Sequence, residues 1–212
     1  MNQVRFLQFG WVMFAALLAV MIGGGFQEPA QKSGVVDIAK IVENSEFGKQ
    51  NQVVFAQMKK SREEVLEFLD TYRILTAEQA QRIRDLSLKT NPTAEEKAEL
   101  ERLKADVIAS SKKSTELSTK PNLTAEERTL MEEYARRSQT MTEVTQRWLR
   151  EFTNEMQTWA DSQKVQSVTK ARKAIQDVAK AGGYTLVFEV GVAPYGANDL
   201  SDDALKAMNE QK

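Results

Sequence analysis

The sequence contains no cysteine and no histidine. Disulfide bonds, Cys or His nucleophiles and most zinc or iron sites are therefore excluded. A spaced acidic calcium loop and a glycine-rich phosphate loop are also missing, so we expect no cofactor, no metal and no small-molecule substrate. An active site would have to use carboxylates, Lys, Ser or Tyr alone, and no spacing indicates one. These absences predict a protein that is not an enzyme.

Glycine is missing from the whole stretch between Lys49 and Ala181, and Pro92 and Pro121 are the prolines within it. The stretch is rich in Ala, Glu, Lys, Gln, Arg and Leu, which favour helices. All 10 glycines lie outside it. The composition therefore predicts a helical arm over residues 43–181, between two glycine-containing ends.

Charges of the two signs nearly cancel, with 29 Lys and Arg against 30 Asp and Glu. A protein that binds nucleic acid needs a basic patch that neutralises phosphates. The near-neutral composition predicts no nucleic-acid partner.

Residues 1–25 have the pattern of a secretory signal peptide. Arg5 and the amino terminus supply a positive region, Trp11 to Ile22 is apolar, and three glycines end at Gly25. The apolar run is shorter than the ~20 residues of a membrane span, but it fits a signal peptide. The alternative is a retained N-terminal anchor. A lipoprotein is excluded because there is no cysteine to carry the lipid.

A capping-box pattern occurs three times, at Thr76, Thr93 and Thr124, each followed three residues later by Gln or Glu. In this pattern the Thr oxygen accepts a backbone N–H of the first turn, and the Gln or Glu bonds back to the Thr N–H. Each Thr is therefore predicted to begin a helix. Two interpretations stay open: the boxes articulate a long arm, or they are only efficient helix starts.

Apolar residues recur every seven positions on both sides of these boxes, which indicates the seam of a coiled coil. The last helix can run from Ala125 to Ala181, or ~85 Å at 1.5 Å per residue. A helix of this length must project, and a partner helix should cover its apolar stripe. We predict an antiparallel hairpin in which residues 40–72 run outward and are continued by a segmented block, about residues 75–123. Whether this block bends at Thr76 or Thr93, or folds back into a thicker tip, stays open.

Two short apolar runs, residues 34–42 and 184–190, flank the arm and are predicted to be strands. Ser201 is predicted to cap a C-terminal helix over residues 202–209. Residues 34–42 and 182–212 would form one small β body. A two-stranded sheet is only marginally stable on its own. We therefore expect several copies of the chain to associate through this sheet. The candidate residues for this association are Val35, Val36, Ile38, Leu186, Phe188 and Val190.

Both ends carry a family resemblance, through "VVDIAKIVENSEFGKQ" from Val35 and "YTLVFEVGVAPYGANDLSDDALKAMN" from Tyr184. These stretches resemble the Skp/OmpH family of periplasmic chaperones. The resemblance implies a mainly α homotrimer, in which helical hairpin arms project from a small barrel-like trimerisation body. Two departures are the slightly acidic composition, where family members often have basic arms, and the extra block at about residues 75–123.

The resemblance also implies a function. It predicts an ATP-independent periplasmic holdase that binds unfolded outer-membrane proteins between its arms and prevents their aggregation. The alternative is a structural coiled-coil envelope protein, held at the inner membrane by an uncleaved N-terminal segment. Met and aromatic side chains suit promiscuous contact, although for any single one of them packing in the hairpin seam is the favoured interpretation. The candidate client-binding residues are Met131, Tyr134, Met141, Trp148 and Trp159.

Overall fold

The computed structural model describes residues 31–196 and 198–211. The predicted signal peptide, residues 1–25, lies outside the described residues. Within them the chain is mainly helical, with a small body and a long helical arm. Two strands are β1 (Ser33–Val36) and β2 (Leu186–Glu189). The helices are α1 (Ile38–Asn44), α2 (Glu46–Thr71), α3 (Ala77–Ser87), α4 (Ala94–Thr119), α5 (Ala125–Ala181) and α6 (Ser201–Glu210).

The sheet of the body pairs β1 with β2 in parallel, with Val35 opposite Phe188. Parallel neighbours need a long crossover connection, and here the entire arm is that crossover. On its other edge, β1 pairs with the segment before α6, where the Val35 N–H donates to the Asn198 carbonyl at 2.8 Å. In the described part of the chain β2 is therefore an edge strand.

The first predicted strand, residues 34–42, is wrong in its second half, because residues from Ile38 onward form α1. The Asp37 side chain accepts the Lys40 backbone N–H at 2.8 Å and caps this helix. Ile38, Ile41 and Val42 then fall on one face of this helix, with Ile41 fully buried. The body core consists of Val36, Ile41, Ala171, Ala174, Ile175, Leu200, Ala204 and Met208.

The arm is a helical hairpin at its base, where α2 runs outward against the returning α5. Arg62 of α2 donates to Glu155 of α5 at 3.0 Å, and Phe55 stacks against Trp159 with ring centroids 6.0 Å apart. Between these two contacts the residue number rises along α2 and falls along α5. The two helices are therefore antiparallel.

Helix α3 reverses the chain, so of the alternatives left open for the block it is the folded-back one that the structure has. Arg84 of α3 reaches the same Glu155 that Arg62 contacts, at 3.5 Å. A straight helical continuation would separate two residues at this spacing by ~33 Å along the axis. Because a rise of that size cannot bring both arginines to one carboxylate, α3 must run back toward the body. Helix α4 then runs outward again to the tip.

This reversal builds a short four-helix segment in the middle of the arm. Helix α3 packs against α2 and α4, and α5 packs against α2 and α4, as in an up-down-up-down bundle. Its core joins residues from all four helices and the turn after α2. The buried members are Val65, Leu69, Leu75, Ala80, Ile83, Val107, Met141, Val144, Trp148 and Phe152.

Among the described residues, none of the helices combines the length and apolarity that crossing a membrane requires.

Candidate functional site

The three capping boxes predicted at Thr76, Thr93 and Thr124 are present, and each begins a helix of the arm. The Glu96 N–H donates to the Thr93 hydroxyl at 3.2 Å, and the Glu96 carboxylate accepts the Thr93 N–H at 2.9 Å. The box at Thr124 has the same geometry. The boxes mark the two reversals around α3 and the tip before α5.

The two glutamate boxes carry an additional lysine contact. Lys89 donates to Glu96 at 2.5 Å, and Lys120 donates to Glu127 at 2.7 Å. The pKa of each glutamate lies below its usual value. The largest cause is the hydrogen bond from the lysine, and the second is the hydrogen bond from the backbone N–H of the capping threonine. Both carboxylates are partly exposed and their lysine partners are largely exposed, so the pairs act as local staples across a turn.

Ser201 does not cap the C-terminal helix, which corrects the prediction. It is the first residue of α6, and the residue in the cap position is Leu200, whose side chain makes no cap hydrogen bond. The Ser201 hydroxyl instead accepts the Asp37 N–H at 2.8 Å, while the Ser201 N–H donates to Asp199 at 2.8 Å. Hydrogen bonding to Asp199 by the Ser201 hydroxyl, and next by the Ser201 backbone N–H, keeps the pKa of Asp199 below its usual value. Ser201 therefore fastens α6 to the start of α1.

Three of the five candidate client-binding residues are buried inside the arm. Tyr134, Met141 and Trp148 are 7%, 0% and 3% exposed. The Arg84 guanidinium lies 4.9 Å from the centre of the Trp148 ring and 5.0 Å from that of Phe152, which closes the four-helix core from one side. In this conformation these residues serve packing and are not accessible to a client.

Met131 and Trp159 are partly exposed. Trp159 lies on the lower part of α5, where the arm has two helices, and it stacks at 28° on Phe55. The two rings line an open groove with a volume of about 460 Å³. Sequence reasoning missed Phe55, which lies outside the apolar rows of the seven-residue pattern.

The body presents an apolar face along β2. Leu186, Phe188 and Val190 are 48%, 40% and 37% exposed, because alternate residues of a strand point to opposite faces. The loop that follows adds Val192 and Tyr195, which are 76% and 96% exposed. Contiguous exposed apolar residues of this kind are typical of an interaction surface.

The remaining candidate residues for association are less exposed than those of the β2 face. Val35 and Val36 are 8% and 3% exposed and are buried within the body of the chain itself. They are therefore not available to a second copy in this conformation. Ile38 is partly exposed, next to the β2 face.

A protein-family model described as outer membrane protein (OmpH-like) matches residues 32–208. The match covers the body, the whole arm and nearly all of α6. The chain belongs to the OmpH-like family. Comparison with curated proteins and with solved structures returned no significant match. At the level of the family, membership suggests a periplasmic chaperone of outer-membrane proteins.

Proposed function

We propose that this protein is an ATP-independent holdase that binds unfolded outer-membrane proteins between its helical arms in the periplasm. Membership of the OmpH-like family carries the proposal. The shape of the chain supports it, because a long arm on a small body leaves much of its surface free for a client. The near-zero net charge of −1 leaves apolar contact as the main attraction.

We further propose that three copies assemble through the apolar face of β2. Leu186, Phe188 and Val190 would be covered by a neighbouring copy, and the free edge of β2 would gain a strand partner. A closed ring of three bodies would place three arms around one cavity. A client held there is separated from other unfolded chains, which prevents aggregation without ATP.

The test is a dilution experiment. A urea-unfolded outer-membrane β-barrel protein is diluted into buffer with the purified protein, and light scattering is followed without ATP. We expect scattering to be suppressed at about three chains per client. A folded, helical sample that leaves scattering unchanged would contradict the holdase and favour the structural coiled-coil envelope protein.

The self-contained packing of the four-helix segment is the observation that favours this second candidate. Tyr134, Met141 and Trp148 are buried without any client, as a spacer would require. A spacer needs neither client binding nor suppression of aggregation, so the dilution experiment separates the two candidates.

A further inference from the structure

The lower arm has no fully buried side chain. We call residues 49–64 of α2 and 153–166 of α5 the neck. None of these residues is buried, although buried cores lie both below the neck, in the body, and above it, in the four-helix segment. Its apolar side chains are only partly covered, since two helices alone cannot enclose them. These side chains are Val54, Phe55, Met58, Met156, Trp159 and Ala160.

The groove of the neck is shallow and open. Its aromatic walls are Phe55 and Trp159, and its end toward the body is formed by Gly48 and Ser167, which are buried. The Ser167 hydroxyl donates to the Gln163 carbonyl of its own helix at 2.7 Å, so this buried polar group is already satisfied. The volume of about 460 Å³ lies in the range of small-ligand clefts, roughly 300–1,000 Å³.

The polar rim of the groove favours an uncharged occupant. Asn51, Gln52 and Gln163 line it with amide groups, which both donate and accept hydrogen bonds. Glu43 and Lys164 are the charged lining residues, and their charges cancel. A rim of this kind can bond the N–H and C=O groups of an extended main chain. It offers no attraction to a strongly charged partner.

The size of the groove also argues against a second copy as the occupant. A stable association buries about 800 Å² on each partner, whereas this groove has room for one or two side chains. The strands of outer-membrane barrels supply the fitting chemistry, because they are uncharged on one face and place aromatic residues at regular positions. Aromatic rings also gain from stacking on Phe55 and Trp159.

We propose that the neck groove binds an aromatic side chain of an extended, uncharged client segment, whose main chain lies across Asn51, Gln52 and Gln163. The site rests on the proposed holdase function and deepens it. It places the first client contact near the base of the arm, and not on the buried residues of the four-helix segment.

The test uses the full chain and a synthetic ten-residue peptide that alternates phenylalanine with threonine and serine. Binding is measured by the anisotropy of a fluorescein label on the peptide. A second peptide carries 4-bromophenylalanine, which quenches a tryptophan in contact with it. We expect the brominated peptide to quench the parent protein. Trp159→Phe should keep the binding, because an aromatic wall remains, and should lose the quenching.

Phe55→Gln removes one wall and should weaken peptide binding about tenfold. The matched control is Val165→Gln, which removes an apolar side chain that is 66% exposed on α5 and does not line the groove. This control should bind the peptide as the parent does. Circular dichroism of each variant shows whether the helices are intact, and Trp159→Phe supplies the test of location if Phe55→Gln unfolds.

Two results of the peptide experiments would overturn the site. One is quenching that persists in Trp159→Phe, and the other is unchanged peptide binding in a folded Phe55→Gln variant. A concentration-dependent blue shift of Trp159 fluorescence without peptide would mean that a second copy fills the groove, which also overturns the site. Light scattering with an unfolded barrel protein tests the holdase separately, so either idea can fail while the other stands.

Discussion

At the residue scale, the repeated Thr-x-x-Glu/Gln pattern places the ends of three helices. Because each box needs residues within four positions of the chain, sequence alone is enough to identify it. Ser201 shows the limit of this reasoning. Its hydroxyl has a competing partner, the Asp37 N–H, which lies 164 positions away in sequence. No local sequence pattern predicts a hydrogen bond between residues so far apart in the chain.

The glutamate boxes should make the stability of the arm depend on pH. The folded pKa values of Glu96 and Glu127 lie below the ordinary value of 4.5. Their contribution to the free energy of unfolding is therefore fully present above pH 4.5 and is lost as the pH falls through the lower folded values. We expect the thermal midpoint, measured by circular dichroism, to fall on acidification below this pH.

A glutamine variant provides the control for this pH effect. The double variant Glu96→Gln and Glu127→Gln keeps the capping geometry, as the native Thr76–Gln79 box does, but it cannot titrate. Its midpoint should fall less on acidification than that of the parent. Equal falls in the two proteins would show that these carboxylates are not responsible.

Gly48 is required by a close approach of the backbone. A Cβ atom there would lie 2.0 Å from the Val42 carbonyl oxygen, at the corner between α1 and α2. We expect Gly48→Ala to lower the free energy of unfolding by about 1–3 kcal/mol, measured by urea denaturation. The matched control is Gly191→Ala, whose new atom would meet nothing closer than 4.0 Å. Equal stability of the two variants would contradict the close contact.

At the element scale, the amphipathic pattern predicts the helices, but it does not predict their directions. The sequence leaves the direction of α3 open, and in the structure α3 runs back toward the body. Its buried face, with Ala80, Ile83 and Leu86, can pack against other helices in either direction, outward or reversed. Packing against α2, α4 and α5 favours the reversed direction, because it buries more apolar surface than packing against a single partner helix would.

A distance measurement checks the reversal of α3. The chain has no cysteine, so Glu63→Cys and Asp85→Cys, both at exposed positions, give one pair of spin labels in each chain. A straight continuation would separate these positions by ~33 Å along the helix axis. We expect a clearly shorter distance by pulsed electron paramagnetic resonance. A distance at or above the extended value would contradict the four-helix segment.

At the scale of the whole molecule, the exposed face of β2 should control assembly. The double variant Leu186→Glu and Phe188→Glu places two charges on this face, where a covering copy would have to desolvate them. We expect the parent to sediment as a trimer of the 23.9 kDa chain and the variant as a monomer with unchanged helicity. Val165→Glu, on the exposed arm surface, should remain a trimer. A double variant that sediments like the parent would exclude this face.

The sequence by itself determined the helical arm, the positions of its helix starts and the resemblance to the family. These properties depend on composition, periodicity and contacts within a few residues. The tertiary structure decided the reversal of α3, the burial of Tyr134, Met141 and Trp148, and the exposure of Phe55 and Trp159 in the neck. A periodic pattern shows that a helix has an apolar face. Only the number of helices beside that face decides whether it is enclosed, as in the four-helix segment, or left partly open, as in the neck.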